Sequence, residues 1–458
     1  MSDHQSGENR FMKRANPKLR ILALFLSLSL VAAACGDDDD EPEASTDTSE
    51  ETSTPEDDSG GEEGGEEGGE PEEAPGFDGE TIRLGVLTPQ TGVAAVIGNP
   101  LTEGNRVFFE ALNAEGGIAG KYPVELDVAD TQYQPQTAVQ QYNATKNNVA
   151  GYVQVLGTPV VNAVLPLLSE DEIVAGPASL DSFWVPEQYL LALGGPYQLQ
   201  AVNAMDYWFN QEGNDPADTT VCTMIQDDPY GEAGQAGVEF AGEQIGFEVA
   251  ETARFAATDT DFSGQINTLN SGGCELVFLV SLPSATGAII GAAAQQQFAP
   301  QWIGQSPTWV GVLAQSPIAP YLEENFLLMS EGPEWGDTSS EGMAQMIEDQ
   351  QEYAPDQQPD IYFSFGYAQA WSWAQVLERA VEMGDLSREG IVEAMNSVGT
   401  ITTGGLLGDY EYGPPEERVP PRESRVFAID PESPGGLRAV SEEFVSEAAE
   451  AFEFEFEG

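Results

Sequence analysis

Residues 80–130 constrain the chain most, because they read as strand, loop, helix, tight turn and strand in that order. Ile82, Leu84, Val86 and Leu87 form a short apolar run, the pattern of a parallel strand buried on both faces. The loop 88–100 is small and polar, with Gly92 and Gly98 giving it freedom to turn. Leu101, Gly104, Val107, Phe108, Ala111 and Leu112 then recur at helical spacing and make one apolar face. Asn113 and the pair Gly116–Gly117 end the helix, since they tolerate left-handed backbone. A second strand follows at 124–128. Such a strand-helix-strand unit predicts a doubly wound α/β sheet with its working loops at the carboxyl ends of the strands.

The chain ahead of this unit reads differently. Residues 1–34 have a basic start (Arg10, Lys13, Arg14, Lys18, Arg20) and an uncharged, mostly apolar core at 21–34, too short to span a bilayer comfortably. Small residues run up to Cys35 and resemble the bacterial lipobox, in which the cysteine is lipidated. The other reading is an ordinary cleavage site beside a chance cysteine. More than one acyl chain is needed for stable anchoring, which a lipidated amino-terminal cysteine supplies. Residues 35–80 carry runs of Asp, Glu and Gly with few apolar side chains, so they are expected to form a disordered acidic linker.

Charge excludes two classes of partner. The chain has 16 Lys and Arg against 78 Asp and Glu, a net −62, and residues 81–458 alone carry 11 bases against 55 acids. Such a surface opposes nucleic acid and anionic membranes. It fits a saline habitat, or equally a lineage with acidic surfaces and no salt requirement. Catalysis finds no residues either. The one histidine is His4, within the signal, so no triad or imidazole metal site is available, and zinc spacing and a phosphate loop are both missing. No cofactor is expected.

The strand IRLGVLTPQTG, the helix end ALNAEGGIAGK and the segment DTQYQPQTAVQQ resemble the solute-binding lipoproteins of ABC importers, the branched-chain amino-acid type above all. The resemblance implies the type I periplasmic binding fold: two doubly wound Rossmann-like lobes joined by a three-strand hinge. Lobe I would comprise 81–196 and 331–404 and lobe II 197–330 and 405–450, with crossings near Gly194–Gly195, after Ser330 and near Gly404–Gly405. Residues 451–458 would form an edge strand or frayed tail. The ligand loops implied by the family map onto Thr91 and Ile97, then Thr158, then Ala178 and Ser179, whose hydroxyl and backbone N–H groups would hold a carboxylate. From lobe II come Tyr230 in an Asp-x-Tyr-Gly loop, Leu282, and Ser306. Read without a ligand, Thr158 is a helix cap and Tyr230 a packed turn residue.

Ser306 stands where the amino-acid binders carry an acid for the substrate ammonium, and Ile97 where they carry an aromatic residue. Asp227 or Asp228 could replace the acid. A buried ammonium without a carboxylate is costly, which disfavours an α-amino acid ligand and leaves small carboxylates and amides open beside it. Cys222 and Cys274 fall on neighbouring strands of such a sheet, as a disulfide or as two buried thiols. The resemblance implies an extracytoplasmic, lipid-anchored monomer that binds a small-molecule solute and delivers it to membrane permease subunits. A sensor partner of a membrane signalling protein and an adhesion protein with a degenerate cleft are the alternatives.

Overall fold

A computed structural model describes residues 69–454. The signal segment, Cys35 and most of the acidic linker lie outside the described residues, as do 455–458. Lobe I is built on four parallel strands: β1 (Ile82–Thr88), β2 (Val124–Asp130), β3 (Gly151–Leu156) and β4 (Ala175–Ala178), in the order β2-β1-β3-β4. Helices α1 (Ala95–Ala114), α2 (Pro135–Thr145) and α3 (Thr158–Asp171) connect them. Strands β1 and β3 are almost wholly buried, as mostly apolar strands covered on both faces are, with Arg83 and Gln154 the polar interruptions.

Lobe II holds a seven-stranded sheet. Its elements are α4 (Tyr197–Asp206), β5 (Val221–Gln226), α5 (Pro229–Ile245), β6 (Val249–Phe255), α6 (Ser263–Gly272), β7 (Leu276–Val280), α7 (Pro283–Gln295), β8 (Gln301–Gln305), α8 (Ala319–Asn325) and β9 (Phe326–Ser330). The chain then returns to lobe I for α9 (Glu341–Tyr353), α10 (Ile361–Met383), α11 (Arg388–Ser397) and a small ladder of β10 (Thr400–Ile401) with β11 (Tyr410–Glu411). It ends in lobe II with β12 (Arg425–Ile429), β13 (Leu437–Ala439) and α12 (Glu447–Glu450). The strand order is β13-β12-β9-β8-β7-β5-β6, parallel except for the two pairings of β12. The two-lobed α/β architecture expected from the sequence is therefore present.

Four local expectations are corrected. Helix α1 begins at Ala95, so Ile97 and Pro100 are helical and do not belong to a loop. Ile97 and Leu101 extend the apolar face back by one turn, and that burial outweighs the N–H missing at Pro100. Residues 69–80, expected to belong to the disordered linker, are ordered. Phe77 is buried edge-on against Tyr122 at 5.1 Å, and Asp78 pairs with Arg83.

The third crossing lies at 420–424, later than Gly404–Gly405. Residues 405–419 stay on lobe I, because the Arg418 guanidinium donates to the carbonyls of Glu187 (2.7 Å) and Leu190 (3.2 Å) and the Tyr412 hydroxyl donates to that of Ala192 (2.6 Å). Of the tail expected at 451–458, the described residues 451–454 form no strand and are not frayed: Phe452 packs against Phe240 at 5.0 Å and Arg422 covers the Phe454 ring.

One contact positions the returning helix. α1 and α10 meet backbone to backbone: a Cβ on Gly104 would lie 2.2 Å from the Phe363 carbonyl, and one on Gly366 1.9 Å from that of Leu101. Only glycine permits this approach. Cys222 and Cys274 are joined as a disulfide beside the paired strands β5 and β7, with Cα atoms 5.8 Å apart.

Gly366→Ala is expected to lower unfolding stability by about 1–3 kcal/mol, as overpacking does. An unchanged urea midpoint would show that the helices do not touch. Loop closure across the disulfide predicts a loss of about 2–4 kcal/mol for the Cys222→Ala, Cys274→Ala pair, and an unchanged midpoint in oxidised protein would show that the bond is not formed.

Candidate functional site

The carboxyl ends of both sheets face one cavity of about 140 Å³ between the lobes. On lobe I, β3 ends at Gly157, whose positive φ of 101° turns the chain into α3. Thr158 opens that helix with its hydroxyl 2.7 Å from the hydroxyl of Ser179, and the Trp184 indole N–H donates to Ser179 Oγ at 3.1 Å. A proton count follows. The two hydroxyls bring two protons and use one between them, so one donor is left over whichever way that bond runs. The amino end of a helix stands beside it, where acceptors are favoured.

Lobe II faces this pair with tyrosines. Asp228 caps α5 by accepting from the N–H groups of Tyr230 (3.0 Å) and Gly231 (3.2 Å), and so fixes Tyr230, which is buried edge-on against Tyr197 at 5.1 Å. Tyr133 reaches across from lobe I, its hydroxyl 3.4 Å from the Gln226 amide nitrogen. Burial holds the phenols of Tyr133, Tyr197, Tyr230 and Tyr362 well above their ordinary range, so all four are neutral donors.

The remaining wall is apolar with acids set into it. Ile97, Leu101, Leu156, Leu282 and Tyr362 form one buried cluster that spans both lobes. Leu406, Leu407, Phe427, Leu437, Trp335 and Met343 continue the lining. Glu331, Glu334 and Asp360 also line the cavity, and no lysine, arginine or histidine does. Glu331 accepts from the Gly195 N–H at 2.9 Å at the hinge. Burial first, and then the neighbouring Glu423 and Glu443, push its pKa up to about 8. Asp360 caps α10, accepting from Tyr362 N–H (2.8 Å) and Phe363 N–H (3.2 Å), and burial pushes it up to about 7.

The lobes touch across the cleft. The Tyr362 hydroxyl donates to the carbonyls of Trp309 (2.6 Å) and Pro307 (3.1 Å), and the Ser284 hydroxyl to that of Val93 (3.1 Å). The cavity is accordingly enclosed by residues of both lobes.

Of the eight residues expected at the site, the structure brings together Ile97, Thr158, Ala178, Ser179, Tyr230, Leu282 and Ser306. Thr91 is the exception. Its hydroxyl is held by the Asp130 carboxylate at 2.6 Å, away from the lining, because the loop folds back on the end of β2. The substitutes considered for a missing acid are committed elsewhere: Asp227 pairs with Arg254 at the surface, and Asp228 is the cap of α5. Sequence reading missed Tyr133, Glu331, Asp360 and Tyr362. Asp360 had a signal, an N-cap residue ahead of an apolar run. Tyr133 had none, since it turns inward through a left-handed backbone at Gln132 and Tyr133 (φ 57° and 59°) that non-glycine residues seldom adopt.

Glu331 and Asp360 make stability fall as pH rises. Both are protonated more readily when folded, so their contribution is complete below the ordinary values of 4.5 and 3.8 and is lost as pH rises through about 8 for Glu331 and about 7 for Asp360. Glu331→Gln, which keeps an acceptor for Gly195, is expected to raise the melting temperature relative to the parent at about pH 9 and leave it unchanged near about pH 4. An equal difference at both pH values would rule out a Glu331 carboxyl that holds its proton more tightly in the folded state.

The family described as periplasmic binding protein matches residues 81–434. A leucine-, isoleucine-, valine-, threonine- and alanine-binding protein of Pseudomonas aeruginosa is 24% identical over 341 residues, 73% of this chain and 87% of that one. Among solved structures, a fatty acid ABC transporter substrate-binding protein from Thermomonospora curvata superposes with a TM-score of 0.78 at 26% identity, covering 84% of this chain and 97% of that one. A branched-chain amino acid ABC transporter protein from Thermus thermophilus with bound valine gives 0.71 at 16% identity, over 81% and 97%.

Proposed function

The chain belongs to the periplasmic binding protein family, whose members similar to it are solute-binding receptors and not enzymes, and from that premise we propose an extracytoplasmic receptor of an ABC importer for a solute with a polar acceptor head and an apolar body. A small acyl acid is the leading case. The receptor would be anchored by a lipid on Cys35, close on its solute and deliver it to permease subunits. Thr158, Ser179, Tyr133 and Tyr197 would hold the head; Ile97, Leu101, Leu282 and the chamber around Leu406 and Phe427 would hold the body.

The observation that carries this reading is the lining itself: neutral hydroxyl donors, apolar side chains, an uncharged Ser306 where amino-acid binders carry an acid, and wall acids (Glu331, Glu334, Asp360) that each already accept a backbone N–H. Ser306 is uncharged, and the nearby Asp227 and Asp228 are already paired or capping. The fatty-acid description of the Thermomonospora relative supports the same chemistry. The Pseudomonas relative supports branched-chain amino acids as the second reading.

Octanoic acid at about 100 times its dissociation constant should add about 2.7 kcal/mol and raise the melting temperature by a few degrees. L-Leucine should give no shift. Thr158→Val with Ser179→Ala should weaken octanoic acid binding by about tenfold or more, for one to two lost hydrogen bonds. A shift with leucine and none with octanoic acid would replace this reading with the second.

A further inference from the structure

We propose that the cavity takes the ligand's head without negative charge: an acyl acid is bound together with its proton, and the matching amide binds without one. The inference rests on the amphiphile reading above and specifies the protonation state of the head.

The charged groups around the cavity all have one sign. Glu331, Glu334 and Asp360 line it. Glu331 has Glu423 and Glu443 beside it, Glu334 accepts from the Ala439 N–H, and Asp360 caps α10. Behind the tyrosines lie Asp228, near Tyr133, and Asp181, near Tyr197. Tyr230 and Tyr362 add neutral phenols.

The bases close in sequence or space to these groups are turned to other work. Arg425 donates to the Gly332 carbonyl at 3.2 Å, Arg422 to those of Ala449 (2.6 Å) and Phe452 (3.0 Å), and Arg254 pairs with Asp227 and Glu232. None of the three lines the cavity.

A carboxylate entering here would leave water for neutral donors among carboxyl groups, with only the partial positive charge of the α3 amino end and no cationic side chain to meet it. That is the costly form of burial, and the usual response is to take up a proton. The cavity's own acids already show that response, since burial raises both Glu331 and Asp360. An uncharged acid or amide still offers a carbonyl oxygen to the spare hydroxyl proton of the Thr158–Ser179 pair and a hydrogen to an acceptor on the wall.

The test holds the tail constant and varies the head. The full chain is titrated calorimetrically with octanoic acid, octanamide and octylamine between about pH 6 and about pH 8, in buffers of different ionisation enthalpy. Octanamide should bind with a pH-independent dissociation constant. Octanoic acid should weaken about tenfold per pH unit and take up about one proton per ligand, because it is ionised free and protonated bound.

Octanoic acid binding equally at every pH without proton uptake, while octanamide fails, would overturn the inference and leave the receptor reading standing. Octylamine binding tightest would also overturn it, by showing that the carboxyls serve a cation. Failure of all three ligands, with L-leucine bound, would remove the amphiphile reading itself.

Discussion

The backbone contact between α1 and α10 is the constraint on which the site depends. Gly104 and Gly366 let the two helices close to van der Waals contact of their main chains. α10 is buried over most of its circumference, so a small displacement would disturb the core of lobe I along its whole length. Its first turn is then fixed over the cleft, where Tyr362 reaches the lobe II carbonyls of Pro307 and Trp309. A packing rule in one lobe thus sets a hydrogen bond to the other. The same turn brings Asp360 to the cavity wall, where its carboxyl is already used as a helix cap.

Much of this was legible from sequence, for a physical reason. The strand-helix-strand pattern depends on local periodicity, and a parallel sheet puts the carboxyl-end loops on one rim whatever those loops contain. The family resemblance, laid over that pattern, implied Thr158 and Tyr230 just after strands and Ala178 at the end of β4. Thr91 shows where that logic fails: its loop bonds back to Asp130, a choice made by two side chains and invisible to periodicity. Glu331 and Asp360 were missed because they enter from the crossing and from the returning helix, and the third crossing was placed too early because Arg418 and Tyr412 hold the chain on lobe I through long-range bonds.

The acidity of the chain has two different meanings in two places. On the surface, carboxylates are solvated and their mutual repulsion is screened by salt. At the hinge the same residue type sits close to Glu423 and Glu443 without a cation, and Glu331 becomes a group that prefers its proton. Composition cannot separate these cases. Only the packing of a half-buried Glu331 between the first and third crossings does, because it thins the water around the carboxyl and sets Glu423 and Glu443 beside it.

The hydroxyl pair and the acids also divide the work of recognition. Thr158 and Ser179 sit at a helix start, a place that suits any acceptor and so discriminates little between an acid, an amide and an amino acid. Discrimination has to come from what else the head must meet. A site with an acid free to bind an ammonium favours an amino acid, whereas here Asp228 is consumed in orienting Tyr230 and Asp227 in a surface pair. With Ser306 uncharged, much of the rest of the lining (Ile97, Leu101, Leu282, Leu406, Leu407, Phe427 and Leu437) offers apolar contact, whose free energy grows with the ligand's buried chain at about 25 cal/mol per Å². Affinity would then scale with tail length, while the head sets orientation, a division of roles that a branched-chain amino acid is too short to use.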